Sequence, residues 1–163
     1  MKKICVFIAM LFWAGHLLGQ NKNQLNEMIV SSINSYIEWN NDFVKRGISV
    51  GDTCNHYICI DGLPSSFPYD SIKNATFFSV NFFRIYPVSN SLLNKQLKKG
   101  IEALFVYFEL KNNQLQITVS SKSVKLVKKK QIGVGLSDWG IYTHEYSCEK
   151  QEWELKETKY GGV

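Results

Sequence analysis

Residues 101–126 read IEALFVYFELKNNQLQITVSSKSVKL, and the fold turns on how this stretch is read. From Ile101 to Leu110 apolar residues occupy both parities, with Ala103, Phe105 and Tyr107 alternating with Leu104, Val106, Phe108 and Leu110. A strand apolar on both faces belongs in the middle of a sheet. Lys111 to Gln114 form a polar turn, after which Leu115, Ile117 and Val119 alternate with Gln116, Thr118 and Ser120 in an antiparallel partner strand. Val124 and Leu126 then stand at the opposite parity. A one-residue change of phase predicts a bulge or break between Ser121 and Ser123.

Outward toward the C-terminus, Ile132, Val134 and Leu136 mark a short strand. Trp139 to Cys148 and Glu152 to Glu157 mark two more, joined by the polar turn Glu149 to Gln151. The chain is expected to end as an antiparallel meander. Outward toward the N-terminus, Ser91 to Lys99 carry Leu92, Leu93 and Leu97 at helical spacing. Ser89, Asn90 or Ser91 can cap that short helix, and Gly100 closes it. Thr76 to Tyr86 hold Phe77, Phe78, Val80, Phe82, Phe83 and Ile85, a buried strand bent near Asn81 and ended by Pro87. His56 to Ile60 read as a short strand that stops at Asp61, Gly62 and Pro64, followed by a surface loop from Ser65 to Lys73.

From Leu25 to Val44 one stripe of Leu25, Met28, Ile29, Ile33, Tyr36, Ile37, Phe43 and Val44 predicts a long amphipathic helix. Asn21 or Asn23 caps it, Lys45 and Arg46 complement its dipole, and Gly47 ends it. The expected fold class is therefore α+β: a long N-terminal helix packed as a single layer on a curved antiparallel sheet. In element order this resembles the cone-shaped NTF2-like and cystatin-like architectures. The resemblance implies a helix over a concave sheet face whose opening is either a ligand pocket or a filled core, and it assigns no residues.

The first nineteen residues read as a signal peptide. Lys2 and Lys3 are followed by an apolar run from Ile4 to Leu18 and by small and polar residues from Gly19. That run is about fifteen residues, short of the roughly 20 that span a bilayer. Residues 1–19 are taken as a leader and 20–163 as a single α+β domain, secreted or periplasmic, with no membrane span. Loss of Lys2 and Lys3 lowers the formal net charge from +5 to +3. So mild a surplus, without concentrated basic and aromatic stripes, argues against nucleic acid.

Cys5 leaves with the leader, so Cys54, Cys59 and Cys148 are the disulfide candidates, and at most one internal pair can form. Fully extended, Cys54 and Cys59 would stand about 16 Å apart, so a local bridge needs a turn. The order Cys54, His56, Cys59 is not a recognised zinc spacing. No Gly-x-Ser-x-Gly elbow or complete dinucleotide loop occurs. No catalytic residue, metal ligand or cofactor is assigned.

The candidate binding residues are Trp139, Tyr142, His144 and Tyr146 with Lys125 and Lys128. Tyr142, His144, Tyr146 and Cys148 share one strand face by alternation, and Lys122, Lys125, Lys128, Lys129 and Lys130 form the only charge run. The functional expectation is an exported, non-enzymatic binding protein, an inhibitor or immunity-like partner of another exported or periplasmic protein. The alternative is a small ligand-binding protein or enzyme using the concave sheet face, with His144 at its mouth and a small molecule as its ligand.

Overall fold

The structure, a computed structural model, describes residues 24–42, 45, 55–81, 84–86, 91–128 and 131–162. The leader, the proposed caps at Asn21 and Asn23, and Phe43, Val44, Gly47 and Cys54 lie outside the described residues. Helix α1 covers 24–42. Strands β1 (His56–Cys59), β2 (Ala75–Asn81) and β3 (Arg84–Tyr86) follow, then helix α2 (Ser91–Lys99). The long strands β4 (Ile101–Lys111), β5 (Gln114–Lys128), β6 (Gln131–Ser147) and β7 (Glu152–Gly162) complete the chain. The seven strands of the described residues form one sheet in the order β3-β2-β1-β4-β5-β6-β7. The fold is α+β, and β4 stands at its centre. No helix among the described residues is long and apolar enough to cross a membrane.

The sheet is mixed, which corrects the expectation of an antiparallel one. β4 to β7 form the antiparallel meander, but β1 runs parallel to both β2 and β4. Side-chain alternation reports which face a residue takes and is silent on strand direction. Direction is set here by residues 60–74, which carry the chain back so that β2 starts at the same end as β1. Those residues are also more than a surface loop. A 3-10 turn at Ile60–Gly62 and another at Tyr69–Ser71 fold the segment over the sheet, so that Phe67 and Ile72 are buried in the core. Gly62 lies so close to β4 that an added Cβ would stand 2.1 Å from the Val106 carbonyl oxygen.

Helices cover both faces, which corrects the single-layer expectation. Met28, Ile29, Ile33 and Tyr36 of α1 pack with Ile58, Leu104, Val106, Ile117, Val119 and Tyr142 on the first face. Leu97 of α2 packs with Cys59, Phe78, Ile101, Ala103 and Val124 on the second. Ser32, buried in the middle of α1, satisfies its hydroxyl by donating to the Met28 carbonyl at 2.8 Å. α2 ends where Gly100 takes φ +99°, its N–H donating to the Gln96 carbonyl at 2.9 Å.

These two layers explain the change of phase in β5. Its ladder with β4 runs unbroken from Lys111 opposite Gln114 to Ile101 opposite Val124. Leu115, Ile117 and Val119 face α1, whereas Val124 and Leu126 face α2. The strand stays regular and the covering helix changes sides. The irregularity lies in the pairing with β6, between Ser120 and Lys122, where β6 takes three steps against two on β5. β6 therefore runs as one bulged strand through both segments expected to be separate. Conversely, the strand expected from Thr76 to Tyr86 is divided into β2 and β3, which pair antiparallel.

Candidate binding face

α2 covers only one end of the second face. Beyond it, residues directly opposite one another across β4, β5, β6 and β7 make transverse rows. Phe105, Ser120, Trp139 and Gly161 form one row, and Tyr107, Thr118, Ile141 and Lys159 the next. Glu109, Gln116, Thr143 and Glu157 form a third, so the surface grades from aromatic to polar. Trp139 lies flat over Gly161, where a Cβ would come within 2.4 Å of the indole, so glycine is what lets the ring reach the sheet. The indole is half-buried, and Tyr107 is 45 % exposed.

Lys122 joins this surface from β5, opposite Ala103. Its Nζ sits 5.0 Å from the centre of the Phe105 ring and 4.7 Å from that of Tyr107, and it donates to the Tyr107 hydroxyl at 2.5 Å. Two aromatic rings and one hydroxyl thus hold a cation in a fixed place on an exposed sheet surface. A preset cation among half-exposed aromatic rings can meet a carboxylate and an apolar side chain together, without first ordering a loop.

The structure divides the residues singled out from sequence. Trp139 belongs to this second face. Tyr142, His144 and Tyr146 project from the first face, since Tyr142 is opposite Ile117, His144 opposite Leu115 and Tyr146 opposite Trp153. Tyr142 and His144 are buried there, and burial pushes the Tyr142 hydroxyl pKa up and the His144 imidazole pKa down. His144 Nδ1 has no hydrogen-bond partner among the described residues. Tyr146 meets Trp153 edge-on at 5.5 Å between ring centres. Lys125 is exposed opposite Gly133, and Lys128 is paired with Gln131 at the far end of β5. The six residues form no single cluster, because the alternation that groups Tyr142 with His144 places Trp139 on the other side.

Of the disulfide candidates, Cys59 is buried and Cys148 exposed, both as free thiols. Burial raises the Cys59 thiol pKa, with the thiol donating to Asp61 at 3.6 Å, so it is a poor nucleophile at neutral pH. Among the described residues no three of His, Cys, Asp and Glu stand together in a way that could hold a metal ion.

Sequence reasoning missed a polar cluster on the first face. Tyr36, fully buried on α1, donates its hydroxyl to the Asp138 carboxylate and accepts from the Ser121 backbone N–H. Ser121 stands at the register shift of the β5–β6 ladder, where its amide meets the phenol. Burial, then Asp138, raises the Tyr36 hydroxyl pKa, and lost hydration followed by the charge of Asp138 raises that of Glu102 nearby. No local signal in the sequence marks this cluster, because Tyr36 and Asp138 stand 102 residues apart. On the same side Trp39 stacks on Tyr160 at 4.6 Å and 6°. Comparison with known proteins gives no matching family model, no matching curated protein and no matching solved structure.

Proposed function

We propose that this chain is an exported, non-enzymatic binding protein whose partner is another protein. The partner docks on the second sheet face beyond α2 and presents carboxylates toward Lys122. The observation that carries this reading is the Lys122 ammonium fixed against Phe105 and Tyr107 beside Trp139 on an exposed sheet surface. Two further observations support it. The residues best suited to proton transfer, Tyr142 and His144, are packed beneath α1, and the Cys59 thiol is buried. Export rests on the leader-like sequence of residues 1–19.

The test is affinity capture from the exported fraction with the wild type and with Lys122→Glu and Tyr107→Ala. A partner retained at low salt, released as salt rises and lost with Lys122→Glu is the expected result. Failure to capture any partner, or retention that ignores both substitutions, would reject the reading. Mass spectrometry of the same fraction should find the chain starting near Gly19 or Gln20.

A second reading is favoured by one observation, the Nδ1 of buried His144, which has no partner among the described residues. On this reading the helix-over-sheet arrangement is NTF2-like or cystatin-like, and a small polar ligand enters beneath α1 to hydrogen-bond that nitrogen. It requires small-molecule binding that is lost in His144→Phe while Lys122→Glu leaves it intact.

A further inference from the structure

We infer that strand β7 is a homodimerisation edge, on which a second copy of this chain pairs antiparallel about a two-fold axis between Lys156 and Glu157. β7 ends the strand order, with β6 as its only neighbour among the described residues. A long edge strand is usually guarded by charge, and β7 carries Glu152, Glu154, Lys156, Glu157 and Lys159. A guard works best when like charges meet on approach. In β7 the two signs are arranged so that opposite charges meet instead.

Pairing about that axis sets Glu154 opposite the partner copy's Lys159, and Lys156 opposite its Glu157. The same register sets Trp153 opposite Tyr160 and Leu155 opposite Thr158. Each of these four direct pairs is then of opposite charge, aromatic with aromatic, or apolar with threonine, and only Glu152 opposite Gly161 at the end of the strand is neutral to the match. A shift of one residue puts Lys156 on Lys156 or Glu157 on Glu157, and a shift of two puts Glu154 on Glu157 or Lys156 on Lys159. Like charges thus reject the neighbouring registers.

The bulge in β7 makes this register possible. Directly opposed residues in an antiparallel pair must project from the same face. In a regular strand Leu155 and Thr158, three positions apart, would project from opposite faces. Here the pairing with β6 passes from Glu157 opposite Thr143 to Leu155 opposite His144, and the extra residue, Lys156, restores the match. Leu155 and Thr158 both lie on the first face, opposite His144 and Tyr142, and so do Trp153 and Tyr160. Glu154 and Lys159 lie on the second, opposite Glu145 and Ile141. The irregularity sits at the proposed axis, where a symmetric pair needs it.

Two large apolar side chains on this edge remain in contact with solvent, Leu155 at 54 % and Tyr160 at 37 % exposure. Dimerisation would cover both and bring the Tyr146–Trp153 pair beside the partner copy's stacked Tyr160 and Trp39. Within one chain, Lys150 and Lys156 already hold Glu154, and Lys159 holds Glu157.

The test is sedimentation of the purified protein over a range of concentrations, with Glu154→Lys and Lys159→Glu made separately. The wild type should self-associate, more weakly as salt rises. Each single variant should be weakened by about tenfold or more, because each sets like charges opposite one another at both symmetric positions. Mixing the two variants should restore association, since each copy then presents the sign the other lacks. A wild type that stays monomeric at the highest concentrations, single variants that associate as strongly as the wild type, or a mixture no tighter than its components would each overturn the inference. Circular dichroism of the single variants verifies that they are folded.

Discussion

The two faces of the sheet are cemented by different chemistry. Under α2 the core is Cys59, Phe78, Leu97, Ile101, Ala103 and Val124, apolar throughout apart from a thiol. Under α1 the core is crossed by polar contacts, with Tyr36 bound to Asp138 and Ser121, Tyr142 near Tyr160 at 3.4 Å between hydroxyls, and a buried imidazole at His144. An apolar core is held by area and shape alone, whereas a core containing titratable groups is also held by their protonation states. Between pH 5 and pH 8 the first face should therefore respond to pH and the second, whose buried thiol titrates only at higher pH, should not.

The largest break in this comparison should come from the apolar side. Phe78→Ala should cost about 3–5 kcal/mol of stability, because it empties a fully buried aromatic site. Denaturant unfolding should give the same loss at pH 5 and pH 8. Tyr36→Phe keeps the ring and removes the hydroxyl, leaving Asp138 and Ser121 each one partner short, and should cost about 1–3 kcal/mol. It should also flatten the alkaline limb. Since the Tyr36 hydroxyl pKa is raised in the folded chain, the unfolded chain releases its proton first, and stability falls as pH rises above the ordinary tyrosine range near about 10.

A smaller effect belongs to His144. Its folded pKa lies below the ordinary value, so its share of stability is complete above about pH 6.5 and is lost as pH falls through the folded value. His144→Phe should shallow that acid slope, read from unfolding midpoints at pH 7.5, 6 and 5. An unchanged slope would place the acid sensitivity elsewhere on the first face. The smallest effect is expected from Lys150→Ala. The Glu154 carboxyl pKa is held to about 2 by Lys150 and then Lys156, but Lys150 itself is largely exposed. The unfolding midpoint of the monomer should stay within scatter of the wild type.

Much of this division was legible in residues 101–126. The double-faced apolar pattern of β4 placed it at the centre, and Asn112 and Asn113 marked a tight turn that their φ values of 50° and 61° now realise. The switch of parity between Val119 and Val124 was legible too, but its cause was not. A bulge and a change of covering helix leave the same trace in one strand, and only the position of α2 distinguishes them. The candidate site was less legible. Tyr142 and His144 were rightly grouped by alternation, yet nothing local shows that α1 lies over that side. Lys122 was visible as one member of a charge run, whereas its seat on Phe105 and Tyr107 depends on cross-strand register. Asp138 and Tyr36 stand far apart in sequence, so no spacing rule could join them.

The uninterrupted β4–β5 ladder bears on how the chain folds. Its residues meet across a two-residue turn, so the hairpin can zip up locally before any distant segment arrives. Once formed, it offers one apolar platform to each helix on opposite sides, and neither helix must wait for the other. Disrupting the Asn112–Asn113 turn should therefore slow refolding, while trimming Ile33 or Leu97 should chiefly accelerate unfolding.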